Sequence, residues 1–278
     1  MWSNYVPVLG PVGQTPDPTL SDLFALSTID VRLARQTATV EGSHQVALSE
    51  AIFLYQKGMH VARCVEAAAA SGMLSWASFQ GYHSGYFAAK GILTLLGVCF
   101  PQPEGRQLLI DLFPIRPRAR TSLVNHDDTI VIAHCHKLEQ NLLWGFFARL
   151  LNVTTFPNEF SAFIRFFKAI DPEKIPRPRN RFIYREDHWP YSDLTSLRPT
   201  ANFAFRDAVG ADLAEIGIDH PLFLAVLGMV APSFLRLMFD SLGKEVPAIA
   251  PHVTYMDSGD WQDGTRMVRS YFPEQPTT

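Results

Sequence analysis

The sequence predicts an all-α protein, and three observations carry that prediction. In SWASFQGYHSGYFAAKGILTLLGV, Tyr82, Tyr86, Ala89, Leu93 and Leu96 recur at spacings of four, three, four and three. That is the period of one helical stripe, and no strand sustains it over such a length. A second stripe passes through Val131, Cys135, Leu138, Leu142, Phe146 and Leu150. No strand is strongly indicated anywhere.

The elements follow in order. Residues 1–18 are rich in proline and glycine and predict an extended N-terminal arm. Thr19 to about Val40 is compatible with a helix that carries Leu23, Leu26 and Leu33 near one face. A second helix is expected from Ser43 or His44 to Ala70, closed by Ser71-Gly72, where glycine supplies the left-handed cap. The tyrosine-bearing helix comes next and is stopped by Gly97 and Pro101. From Phe100 to Asn125 the prolines predict irregular chain, in which QLLIDLF is either a strand or a helical turn.

Asp127 or Asp128 is placed to cap the helix TIVIAHCHKLEQNLLWGFFARLL. The segment PNEFSAFIRFFKAI opens with Pro157 in its first turn and buries Phe160, Phe163, Ile164 and Phe167. Beyond an arginine-rich stretch, ANFAFRDAVGADLAEIG and DHPLFLAVLGMVAPSFLRLMFDSLG read as two more helices, the second kinked at Pro232 and closed by Gly243. The resulting division is an arm at 1–18, a helical bundle at 19–198 and a C-terminal helical extension and tail at 199–278.

Composition narrows the function classes. A chain of 278 residues with 47% hydrophobic and 18% charged residues has a buried core and is not a disordered polyelectrolyte. Its 20 phenylalanines predict an aromatic-rich interior. Cys64, Cys99 and Cys135 are scattered with no CxxC pair, which fits reduced thiols in a cytoplasmic protein. The opening MWSNYVPVLGPVGQTPDP lacks the basic and apolar regions of a secretory signal, and the apolar runs at 91–100 and 221–235 are short or interrupted, so no membrane association is expected. A net charge of −3 gives no global attraction to nucleic acid. The charge is uneven, however, with an acidic C-terminal part and basic stretches at Arg116–Arg120 and in the arginine-rich segment. A local basic face binds polyanions whatever the net charge.

The strongest chemical signal is KIPRPRNRFIYREDHWPYSD, which packs Arg177, Arg179, Arg181, Arg185 and His188 between prolines. Arginine forks bind phosphate through paired charge-assisted hydrogen bonds, and histidine exchanges a proton near neutrality. On a continuous helix Arg181 and His188 lie two turns apart on one face, about 10.5 Å along the axis, and long side chains bridge that interval to one phosphate. Asn180 and Tyr184, four residues apart, are placed to orient their neighbours. The competing explanation is a solvated helix end paired with Glu186 and Asp187.

Other constellations are weaker. NHDDTIVIAHCHK gathers His126, Asp127, Asp128, His134 and His136, but on a helix His134 and His136 point about 200° apart. No HExxH or i, i+4 histidine pair is present, so no metal site and no cofactor is expected. GxGxxG, GxxxxGK[ST] and GxSxG are missing too. Tyr82, His83, Tyr86 and Lys90 share the best helix, where ordinary packing with a snorkelling lysine explains them. A small-molecule enzyme with a pocket near Tyr82 and His83 has no motif behind it.

The helix GYHSGYFAAKGILTLLG, the long segment TIVIAHCHKLEQNLLWGFFARLL and then PRNRFIYREDH together resemble the HEPN superfamily over about residues 45–195. There an aromatic, alanine-rich helix ending in lysine or arginine precedes a long helix and an arginine-rich turn. The resemblance implies a HEPN-like helical bundle and a metal-independent endoribonuclease or RNA-binding protein of a toxin–antitoxin or anti-phage defence type. Such proteins usually pair as homodimers so that two Arg-x(4–6)-His motifs meet in a cleft. It further implies Arg181 as the phosphate ligand and His188 as the acid or base, with Arg179, Asn180, Tyr184 and Arg185 in support. Arg179-Asn180 followed by a tyrosine also resembles the inactive branch of the superfamily. That branch implies the alternative, a non-catalytic subunit docking a protein or antitoxin-like partner.

Overall fold

The computed structural model describes residues 18–25, 35–71, 73–113, 129–135, 140–184, 218 and 223–249. The architecture is mainly α with a small antiparallel sheet. The helices are α1 (Leu20–Ala25), α2 (Ser43–Ala70), α3 (Leu74–Leu95), α4 (Gln140–Val153), α5 (Ser161–Ile170), α6 (Pro176–Tyr184) and α7 (Phe223–Glu245). The strands are β1 (Arg35–Thr39), β2 (Val98–Cys99), β3 (Leu108–Asp111) and β4 (Thr129–His134), in the spatial order β1-β4-β3-β2.

The sheet corrects the all-α expectation in two places. Thr129–His134 is a strand, and the following helix begins only at Gln140. The run Thr-Ile-Val-Ile is β-branched throughout, which stiffens the side chains and suits a pleated surface. Its alternation sends Ile130 and Ile132 into the core, with Ile110 opposite Ile132 and Ala38 opposite Ile130. Of the helix expected from Thr19 to Val40, the described residues include α1 at Leu20–Ala25. Residues 35–39 instead form the edge strand β1, paired in register from Arg35–Ala133 to Thr39–Thr129. QLLIDLF contains β3, one of the two alternatives its sequence allowed.

The chain forms two compact units, each discontinuous in sequence. One draws on Met1–Leu54, Lys90–Glu139 and Met238–Ser258, the other on Tyr55–Ala89, Gln140–Leu237 and Gly259–Thr278. The boundary expected at residue 198 lies outside the described residues.

In the first unit, the inward sheet face (Leu108, Ile110, Ile130, Ile132) packs with Leu20 and Phe24 of α1 and Ala47 of α2. Helix α1 starts in a capping box. Thr19 Oγ1 accepts from Asp22 N–H at 3.1 Å and the Asp22 carboxylate accepts from Thr19 N–H at 3.0 Å. The Thr19 hydroxyl also donates to the Asp22 carboxylate at 2.6 Å, and that bond, then the one from Thr19 N–H, holds the carboxyl below the usual aspartate range. The chain leaves α3 through Gly97 at φ +89°, where a Cβ would collide with the Phe113 ring. Glycine is required there on both counts.

The second unit has the phenylalanine-rich interior expected from composition. Phe234 of α7 stacks on Phe163 of α5 at 5.2 Å between ring centroids and meets Phe160 and Phe167 at 5.9 Å. On α4 the buried residues are Leu143, Trp144, Phe147 and Leu151, while Leu142 is exposed. The predicted stripe through Leu142, Phe146 and Leu150 is therefore one residue out of phase, because it was extrapolated from a segment that is a strand. On α3, Tyr82, Ala89 and Leu93 are buried as predicted, but Tyr86, and Leu96 just beyond the helix, are half-buried, and the seam also contains Gly81, Ser84, Gly85 and Ala88. α7 is long and apolar enough to cross a membrane, and most of that apolar window is buried in the protein, as in a core helix.

Candidate nucleic-acid interface

The arginine stretch begins where α5 ends. Asp171 takes the left-handed conformation at φ 54°, and its carboxylate, held below the ordinary range mainly by a hydrogen bond from Lys174, meets that ammonium at 2.8 Å. A 3-10 turn over Pro172–Lys174 leads into α6, whose first residue is Pro176. Proline suits that position because its missing N–H would have no helical acceptor there.

α6 sorts its arginines by position. Arg177 and Arg181, four residues apart and so neighbours on one face, are exposed. No described carboxylate forms an ion pair with Arg181. Arg179 points to a different side and is half-buried against α3, its guanidinium carbon 5.5 Å from the Tyr82 ring centroid. A cation over an aromatic face is attracted by the ring quadrupole. Arg179 Nη1 donates to the side-chain oxygen of exposed Asn180 at 3.0 Å.

The α3 side of this contact is organised from below. The buried Tyr82 hydroxyl donates to Gln140 Oε1 at 2.7 Å, and Trp144 Nε1 donates to the same hydroxyl at 3.4 Å. These bonds fix the ring that Arg179 covers. His83, next in sequence, is half-buried, with its ring centroid 5.7 Å from Tyr82 and 4.6 Å from Phe79. Burial, and then the positive charge of Arg179, push its pKa below 6.5, so the imidazole is neutral at neutral pH. Phe79 in turn meets Trp76 edge to face at 5.7 Å.

Of the predicted site residues, Arg179, Asn180 and Arg181 lie on α6, and Tyr184 is its last residue. Arg185 and His188 are outside the described residues. The contact of Arg179 with Tyr82, and its charge beside His83, were not anticipated. Its sequence signal was the Tyr82-His83 pair, for which ordinary packing was the stronger explanation.

His126, Asp127, Asp128 and His136 are outside the described residues as well, and His134 ends strand β4 rather than lying on a helix. Among the described residues no group of three or more metal-ligating side chains converges. The arrangement therefore defines a class of surface, a cationic helix braced on an aromatic stripe, within a mainly α fold with a small sheet. No protein-family model, curated protein or solved structure matches the chain.

Proposed function

We propose that the chain is a HEPN-like protein that binds RNA through the exposed face of α6 and cleaves it without a metal. In this reading Arg181 holds the scissile phosphate and His188 exchanges the proton. The RNA 2′-oxygen attacks the adjacent phosphorus, the 5′-oxygen bond breaks, and the products are a 2′,3′-cyclic phosphate and a 5′-hydroxyl. Arg179, Asn180, Tyr184 and Arg185 support the site. A homodimer in a cytoplasmic toxin–antitoxin or anti-phage setting follows from the same resemblance.

The observation that carries the reading is the exposure of Arg177 and Arg181 together on one face, with no described carboxylate paired to Arg181. Two such forks are available to phosphate oxygens. The second reading is a non-catalytic subunit that docks a protein partner. It is favoured by Leu142 and Val153, exposed about three turns apart on one face of α4.

The test is cleavage of a mixed RNA pool in EDTA by the wild type, Arg181→Ala and His188→Ala. Metal-independent cleavage by the wild type, reduced about 10²–10⁴-fold in His188→Ala, is the expected result. A folded wild type that leaves the pool intact favours the docking subunit.

A further inference from the structure

We propose that His83 is a proton switch for Arg179: charging the imidazole releases the guanidinium from the Tyr82 ring. The switch is independent of any RNA ligand, since it concerns only how α6 is held on α3. Two groups share one ring. The Arg179 guanidinium carbon lies 5.5 Å from the Tyr82 centroid, and the His83 ring meets the same tyrosine edge to face at 5.7 Å. Tyr82 is pinned through its hydroxyl by Gln140 and Trp144, and Phe79 also meets the imidazole, at 4.6 Å. Arg179 is half-buried and carries its charge on a long flexible stem, so it is the member that moves. Pro176 and Pro178 on α6 are buried and have no ionisable group, so the switch frees the Arg179 side chain without unseating the helix.

At neutral pH the imidazole is uncharged, and Arg179 is the cation the ring attracts. Arginine keeps its charge throughout the range in which histidine titrates, so protonation sets two cations against one tyrosine. Their repulsion is weakly screened where both groups are half-buried. The titratable and charged groups facing His83 are Tyr82 on its own helix and Arg179 from α6, while Gln140 and Trp144 of α4 are neutral. Tyr86, stacked on Tyr82 at 6.3 Å, stays a neutral phenol because burial raises its pKa. No described carboxylate offsets a charge on the imidazole. Docked Arg179 lowers the proton affinity of His83, so by reciprocity a proton on His83 weakens the docking of Arg179. The released state binds the proton more tightly and is favoured as pH falls below 6.5.

The test is a side-chain NMR titration of the full chain from about pH 8 to about pH 5. The Arg179 δ-methylene and Nε–H signals, assigned by their loss in Arg179→Gln, report whether the guanidinium lies over the ring. The His83 ring signals, assigned by their loss in His83→Gln, report its charge. The expected result is that the Arg179 signals lose their ring-current shift as His83 is protonated, with one shared midpoint below 6.5 and unchanged helical circular dichroism. In His83→Gln the Arg179 signals keep their shift throughout, and in Arg179→Gln the His83 midpoint moves up toward 6.5. Arg179 signals that keep their shift while His83 titrates overturn the proposal, as does an equal movement in His83→Gln or an unchanged midpoint in Arg179→Gln. Loss of circular dichroism at the same midpoint also overturns it, because unfolding would then be what releases Arg179.

Discussion

The Ser84 hydroxyl in α3 donates to the carbonyl oxygen of Gly228 in α7 at 2.7 Å. That carbonyl is the one whose helical donor would be the N–H of residue 232, where α7 has proline. The hydroxyl also lies 2.8 Å from Gly58 O in α2. It carries one hydrogen, and within α2 the N–H of Ala62 is in place for Gly58. Gly228 is therefore the acceptor that depends on Ser84. A proline in a buried helix is tolerated here because a neighbouring helix supplies the missing donor.

Ser84→Ala should accordingly destabilise the protein by about 1–3 kcal/mol, the cost of leaving a buried carbonyl unsatisfied. In a Pro232→Ala background, where residue 232 has its own N–H, the same change should cost less. Urea denaturation of the four proteins in this cycle measures the coupling, expected at about 1 kcal/mol. Strict additivity would show that Ser84 does not compensate for Pro232.

The crossing of α3 and α7 depends on close backbone approach. A Cβ at Gly81 would lie 2.6 Å from Ala225 Cα and closer still to Leu224 O, and one at Gly228 would run into Gly81 itself. Gly81→Ala should cost about 3 kcal/mol, because α7 backbone, not a flexible side chain, has to move. Gly145 on α4 is the control. The nearest atom to an added methyl there is Glu173 Oε1 at 4.0 Å, so Gly145→Ala should stabilise by about 0.5–1 kcal/mol through helix propensity. Thermal denaturation distinguishes the two, and equal effects would refute the close-approach argument.

His83 links stability to pH. Its folded pKa lies below 6.5, first through burial and then through Arg179, while the unfolded imidazole titrates near 6.5. In the interval between the two values the unfolded chain binds a proton that the folded chain does not. Stability therefore falls as pH drops through 6.5, and this contribution is fully lost below the folded pKa. His83→Gln should flatten that part of a stability–pH curve, and an unchanged slope would mean His83 titrates alike in both states.

RNA binding by α6 should be strongly salt-dependent if Arg177 and Arg181 contact phosphates. For single strands the slope of log K against log salt is about −0.7 per contact. Each arginine-to-alanine change should then reduce the slope by about that amount and weaken binding similarly across sequences. A variant that weakens binding at unchanged slope would place that arginine on a base or away from the RNA.

Local periodicity determined much of this fold. α2, α3, α5 and α7 were legible because spacings of three and four residues, with proline and glycine at their ends, specify a helix from the chain alone. The phenylalanine-rich interior of the second unit followed from composition. The arginine segment was legible as a cationic stretch, and the structure makes it the helix α6 with Arg179, Asn180 and Arg181 on it. What the sequence left open depends on partners remote in the chain. TIVIAH satisfies both a helical stripe and a strand alternation, and becomes β4 because its open edges are met by β1 and β3. Reading it as helix also displaced the buried face of α4 by one residue. In the same way all the arginines of α6 look alike in sequence. Only the packing of α6 on α3 sets Arg179 over Tyr82 and leaves Arg177 and Arg181 in solvent, because a helix encodes its period locally while the face it buries is chosen by what it packs against.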